Sequence, residues 1–253
     1  MQTEHQVRGR PVVEMVVGRV DEAGQVVAQG RALAARVGVL VDLPQHRVGG
    51  LDDLDRPAAP QSELRVGLPG PARDTVDYFP LLVMNTMLGG SFTSRLNTNL
   101  RETHGFAYGA SSGFAMRLGE GPFTASSAVF SAKTDSAVAE FFHELRRIRD
   151  EPVPADELDR ARNYVALGLP RRFETAAGVA AQLAELEIYG QTMDFFNGYV
   201  PRVMDVSAAD VQRVAREYVR PDRAVVVVVG DRASVEAGLR AAGIAPVELR
   251  EAA

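Results

Sequence analysis

Cysteine is absent from this 253-residue chain. That excludes a thiol nucleophile, iron–sulfur ligation and every cysteine-based zinc site. Histidine is scarce, with only His5, His46, His104 and His143. A helical zinc-hydrolase motif needs two imidazoles on one face beside a general base, as His-Glu-x-x-His or the inverted His-x-x-Glu-His. His143-Glu144 begins the first form, but Arg147 stands where the second histidine is required. A guanidinium offers only donors and cannot ligate zinc, so His143 reads as a partly exposed residue on an amphipathic helix. Glu4-His5 matches the end of the inverted form without its first ligand and without helical context.

Other absences point the same way. No Gly-x-Ser-x-Gly elbow occurs, and Ser91, Ser94, Ser111 and Ser112 lack a histidine with an evident acid partner. Gly89-Gly90 opens a glycine-containing turn, but no Gly-Lys-Ser/Thr follows, which removes a phosphate-cradling loop. Lysine occurs once, at Lys133, among 28 basic residues, a bias that reads as base composition rather than as an arginine surface. The net charge of −5 carries no footprint for nucleic acid. No apolar run approaches the ~20 residues needed to span a bilayer, and the first residues lack the apolar core of a signal peptide. The expectation is a cytoplasmic protein with neither membrane nor nucleic acid as a partner.

What is present is ordinary for a globular chain, 46% apolar and 24% charged residues, enough for one large domain or two small ones. Val12–Val17 is a β-branched run, and 27–41 carries apolar residues at near-helical spacing. Residues 46–61 are rich in Gly, Asp and Pro and read as a linker. Leu64, Val66 and Leu68 then alternate with polar neighbours as in a half-buried strand. From Tyr78 to Leu88 the set Phe79, Leu82, Val83 and Met87 follows helical spacing, with Pro80 tolerated in the first turn.

Segments 106–114 and 123–130 read as a hairpin, with Phe123, Ala125, Ser127 and Val129 on one face. Val138, Phe141, Phe142, Leu145 and Ile148 mark a long amphipathic helix, and two more are expected from near Asp156 towards Pro170 and over 175–189. Ser207 and Asp210 form a capping-box pattern. The apolar run 224–230 predicts a central, buried strand, followed by a helix over 234–242 and a short final strand. The whole predicts an α+β fold, a mixed, largely antiparallel sheet with helices packed on one face. The strand–helix pattern of 12–43 is echoed by 225–249.

The most informative stretch is 89–108. A glycine pair ends one helix, a short polar helix follows, Gly105 ends that, and an aromatic strand begins. Arg101, at a helix C-terminus, and Tyr108, on the next strand, can both point into one groove. Arginine supplies a fork of N–H donors for a peptide carbonyl or carboxylate, and tyrosine a hydroxyl donor. The competing reading pairs Arg101 with a local acid such as Glu102 or Asp74 while Tyr108 packs.

Leu88-Gly89-Gly90-Ser91-Phe92-Thr93-Ser94-Arg95-Leu96, followed by Leu100-Arg101-Glu102-Thr103-His104-Gly105-Phe106-Ala107-Tyr108, resembles the substrate-binding half of the pitrilysin/mitochondrial-processing-peptidase family of zinc peptidases. The family form runs Leu-Gly-Gly-x-x-Ser-Ser-Arg-Leu and then Leu-Arg-Glu-x-x-Gly-x-x-Tyr. The likeness extends over roughly 48–246, with 59–71, 151–165, 172–190 and 205–231 in the family's order.

The resemblance implies two similar halves closing around an extended peptide, one with the inverted zinc motif, the other with an Arg/Tyr pair. Arg101 and Tyr108 are that pair by the match, with Gly89, Gly90 and Ser91 beside them as substrate-binding residues; a position usually basic in the family is His104. Residues 1–47 then resemble the tail of a preceding half plus the start of the linker, and 48–253 the substrate-binding half-domain. The expected role is a non-catalytic subunit that adds an extended peptide to an edge strand, inactive by itself. It binds no cofactor of its own, and the zinc sits in a homologous partner subunit. The alternative is a catalytically inert structural or peptide-binding protein of the same fold.

Overall fold

A computed structural model describes residues 15–17 and 59–249. The expected helix over 27–41 and most of the expected linker lie outside the described residues. The strands are β1 (Met15–Val17), β2 (Gln61–Pro69), β3 (Ala107–Phe114), β4 (Pro122–Phe130), β5 (Val225–Val229) and β6 (Val247–Leu249). They form one six-stranded sheet in the order β3-β4-β2-β5-β1-β6. The β3, β4, β2 and β5 neighbours are antiparallel, whereas β1 runs parallel to both β5 and β6. The sheet is thus mixed and largely antiparallel.

Alternation along the strands decides which face is covered. Leu64, Val66 and Leu68 of β2, Phe123, Ala125 and Val129 of β4, and Val226 and Val228 of β5 are all buried on one face. Over them lies α3 (Thr134–Asp150), whose Val138, Phe141, Phe142, Leu145 and Ile148 form the apolar stripe that its periodicity predicts. Beside it runs α8 (Ala208–Tyr218), opened by the expected capping box between Ser207 and Asp210. Full burial of each such side chain contributes about 1.5–3 kcal/mol. The other face carries Glu63, Arg65, Thr124, Ser126 and Ala128, none of them fully buried.

The remaining helices close the covered layer: α1 (Tyr78–Asn85), the single turn α2 (Arg95–Asn97), α4 (Ala155–Gly168), α5 (Ala176–Ile188), and the short α6 (Asp194–Asn197) and α7 (Tyr199–Met204). After β5 comes α9 (Arg232–Ala242), which ends at Gly243 in the left-handed region. The first helix departs from its expected face. Leu81, Met84 and Leu88 are buried together with Phe79, Val83 and Met87, while Leu82 is only partly buried. The cause is packing from several sides, since α1, which runs on into a π turn over Thr86–Gly90, is held against α8, α4, α7 and strand β3 and burial spreads beyond one stripe.

Candidate functional site

The block 89–108 folds into two wider turns joined by a tight bend. Helix α2 runs into a second π turn, Thr98–Thr103, and Gly105 at φ 63° reverses the chain into β3, as its sequence position predicts. The glycine pair ends the first helix as expected, but not through a left-handed residue, since neither Gly89 nor Gly90 has positive φ. Close approach requires them instead. A Cβ on Gly89 would lie 2.5 Å from the backbone nitrogen of Ser112, and one on Gly90 would lie 2.8 Å from Nδ2 of Asn85. The end of the first helix therefore rests directly on strand β3.

That contact governs the edge of the sheet. Ala115 N–H donates to the Pro122 carbonyl, so alternation turns the main-chain groups of Ala110, Ser112 and Phe114 outward. Asn97, 4% exposed, accepts from Ala110 N–H at 3.0 Å and donates to the Phe92 carbonyl at 2.6 Å. Asn85 donates to the Ser112 carbonyl at 3.1 Å and accepts from its hydroxyl at 2.7 Å. Two asparagines thus occupy the edge where strand addition is expected.

The β3–β4 register slips between Ala107 and Ala110, a bulge that places both Tyr108 and Gly109 opposite Ala128. The bulge lets Tyr108 share the open face with Ser111 three residues later. Tyr108 is 79% exposed, its ring lies edge-on to Phe130 at 6.3 Å, and its hydroxyl has no partner among the described residues. Arg101 lies above the Phe92 ring at 4.6 Å, and its Nε pairs with Glu102 at 3.1 Å. Its two terminal nitrogens have no partner among the described residues.

All five residues singled out in the sequence, Gly89, Gly90, Ser91, Arg101 and Tyr108, line one open groove of ≈ 520 Å³. The competing reading holds in half. Arg101 does pair with Glu102, but Tyr108 does not pack into the body. Glu63, Asn97, Ser126 and Tyr164 also line the groove, and the sequence reading missed them. Glu63 and Ser126 reach it only through sheet register, and Tyr164 only through the packing of α4. Asn97 lies between the two matched segments and was open to notice.

Several other polar residues of the block have structural partners, although the buried Ser94 hydroxyl has none among the described residues. Arg95 forms a fork of two 2.7 Å bonds to Glu157 of α4. Asn99 donates to Glu140 and to the buried Glu144, which also receives Arg147. His104 stacks on Phe106 at 4.9 Å and lies 3.8 Å from Glu140. His143 is exposed on α3. Among the described residues no three histidine, aspartate or glutamate side chains are placed to hold a metal ion. The zinc implied by the family therefore does not fit the donor set of this part of the chain. Among the same residues no helix is long and apolar enough to cross a membrane.

Comparison with known proteins agrees with this architecture. Residues 31–165 match the family described as peptidase M16 inactive domain. An uncharacterized zinc protease of Streptomyces coelicolor is 26% identical over 238 residues, covering 87% of this chain and 51% of that protein. An uncharacterized zinc protease of Rickettsia bellii is 24% identical over 179 residues, covering 68% of this chain and 42% of that protein. The chain thus spans about half the length of these relatives. In fold it is similar to the crystal structure of a peptidase M16 inactive domain from Pseudomonas fluorescens, with TM-score 0.66 and 18% identity, covering 88% of this chain and 44% of that one. The motif, the sheet and the matched segment together make this chain a member of the peptidase M16 inactive-domain family.

Proposed function

We propose that this chain is the non-catalytic, substrate-holding half of a heteromeric zinc metallopeptidase. It holds an extended peptide in the Arg101–Tyr108 groove while a homologous zinc-bearing partner performs the cleavage. The observation that carries this reading is that unpaired donors of Arg101 and Tyr108 line one open groove. An arginine fork and a phenol can orient a peptide carbonyl or stabilise charge developing on it. Because Asn85 and Asn97 occupy the β3 edge, the peptide lies on the open sheet face, over Ser111, Ser126 and Ala128, rather than along positions 110–112. Residues 1–47 fit the proposal as the tail of a preceding half, with 48–253 as the substrate-holding half-domain.

The test mixes the purified chain with the zinc-bearing homologue from the same genome and follows a quenched fluorescent peptide. Neither chain alone is expected to turn the peptide over, and the mixture is. Arg101→Ala and Tyr108→Phe should each lower kcat/KM on the order of 10²-fold. Unchanged turnover in both variants refutes the assignment. Peptide binding without any gain in turnover assigns the chain to the inert peptide-binding alternative.

A further inference from the structure

A second cavity, of ≈ 670 Å³, opens at the far end of strand β3. Its walls are apolar, formed by Leu81 and Leu82 of α1, Phe114 and Met116 at the end of the strand, and Ala184 and Ile188 of α5. The helix α5 roofs it loosely, since Leu186 is its one buried residue. A volume of this size, apolar with a few placed polar groups, suits a short peptide or a small molecule.

Two sets of polar groups face this space without full partners. The first belongs to Arg73, which is 4% exposed and stacks 3.7 Å from the Tyr78 ring centroid. Its hydrogen bonds are long and both leave from Nη2, 3.5 Å to Glu185 and 3.4 Å to Gln191. Three more N–H donors, one on Nε and two on Nη1, have no partner among the described residues. These nitrogens are partnerless yet not fully buried, so solvent reaches them and a carboxylate can take its place. The second set is the N–H and C=O of Phe114, the outward pair of β3 that neither asparagine reaches.

We propose that this cavity binds the carboxy-terminal end of an extended apolar peptide. Its main chain pairs with Phe114 as an added strand, its side chains fill the apolar walls, and its terminal carboxylate takes the free donors of Arg73. A fatty acid supplies the carboxylate and the apolar body but leaves Phe114 unpaired. Glu185 opposes the incoming carboxylate and sets the affinity below that of an unopposed arginine. The site is separate from the Arg101–Tyr108 groove and does not depend on the role proposed for that pair.

Fluorescence anisotropy on the whole chain tests this with a labelled Gly-Ser-Val-Leu-Ile peptide, as free acid and as C-terminal amide. The acid should bind about tenfold more tightly, the worth of a charge-assisted bond; equal binding overturns the proposal. Glu185→Gln should tighten the acid roughly threefold and leave the amide unchanged, and no tightening counts against Arg73 as the receptor. Ala184→Phe narrows the cavity from its α5 wall and should abolish the preference for acid over amide while the circular dichroism stays wild-type; a retained preference overturns the site. Arg101→Ala should leave the preference for acid over amide unchanged, and loss of that preference would move the carboxylate to the first groove. Octanoate that displaces the peptide at or below the peptide's own Kd would reassign the cavity to lipid carboxylates.

Discussion

Substituting Gly89 by alanine tests whether the helix end and the strand edge meet as closely as the fold requires. The new Cβ would lie 2.4 Å from the Ser112 hydroxyl, 2.5 Å from its nitrogen and 2.8 Å from its Cβ. Ordinary contact begins near 3.4 Å, so the turn or the strand must move by about 1 Å. A serine rotamer change relieves only the first clash, because the second is with backbone. Overpacking of this kind costs about 1–3 kcal/mol. The Asn85–Ser112 pair of hydrogen bonds, at 3.1 and 2.7 Å, separates with it, at about 1 kcal/mol each. Alanine returns about 0.5–1 kcal/mol through backbone entropy. The expected net loss is about 2–4 kcal/mol, read as a lower urea midpoint with an unchanged m value. Adding Ser112→Ala should recover less than about 1 kcal/mol, since the nitrogen stays in place. Gly113→Ala, one strand position on with nothing within 4 Å, is the control and should change little. Wild-type stability, to within about 0.5 kcal/mol, in the Gly89 variant would refute the close approach and the edge-blocking role drawn from it.

Three further outcomes follow from particular contacts. The Asp77 carboxyl is held below its usual range, chiefly by the Arg213 hydrogen bond, with Tyr218 assisting and burial opposing. A depressed folded pKa stabilises above the unfolded value of about 3.9 and is lost as pH falls through the folded one. Asp77→Asn should therefore cost about 1–3 kcal/mol at pH 7, with the gap to wild type closing in acid urea titrations. Ser207→Ala removes the cap of α8 and should cost about 1 kcal/mol by thermal or urea unfolding. Arg95→Met strands Glu157 and should cost about 3–5 kcal/mol, part of which Arg95→Met/Glu157→Leu regains in a double-mutant cycle.

Much of the fold was legible because local signals and tertiary packing agree. The alternation in 64–68 and the apolar run 224–230 describe strands whose environments the sheet then supplies. The stripe on α3 and the Ser207–Asp210 box are local, and both appear where their spacing puts them. The first helix was misread on one face because neighbours cover it from several sides, and apolar spacing does not record how many elements pack on a helix. The glycine pair was read correctly as an ending, but the reason glycine is needed there was not legible. A close approach and a positive φ leave the same glycine in the sequence, and only the neighbour across the gap distinguishes them.

The residues of the 89–108 block name the family and the chemistry available to it, hydrogen-bond donors without a zinc-binding motif. That much depends on side-chain type and order along the chain, which no fold can alter. Tertiary structure decided the rest. A one-residue bulge turns Tyr108 onto the open face with Ser111, and sheet register brings Glu63 and Ser126 to the same groove. Two asparagines, 13 and 27 residues distant in sequence from the groups they meet, close the β3 edge at positions 110 and 112. Whether a main-chain edge is free depends on which side chains fold back over it. That is a matter of three-dimensional neighbours, which spacing along one strand does not record.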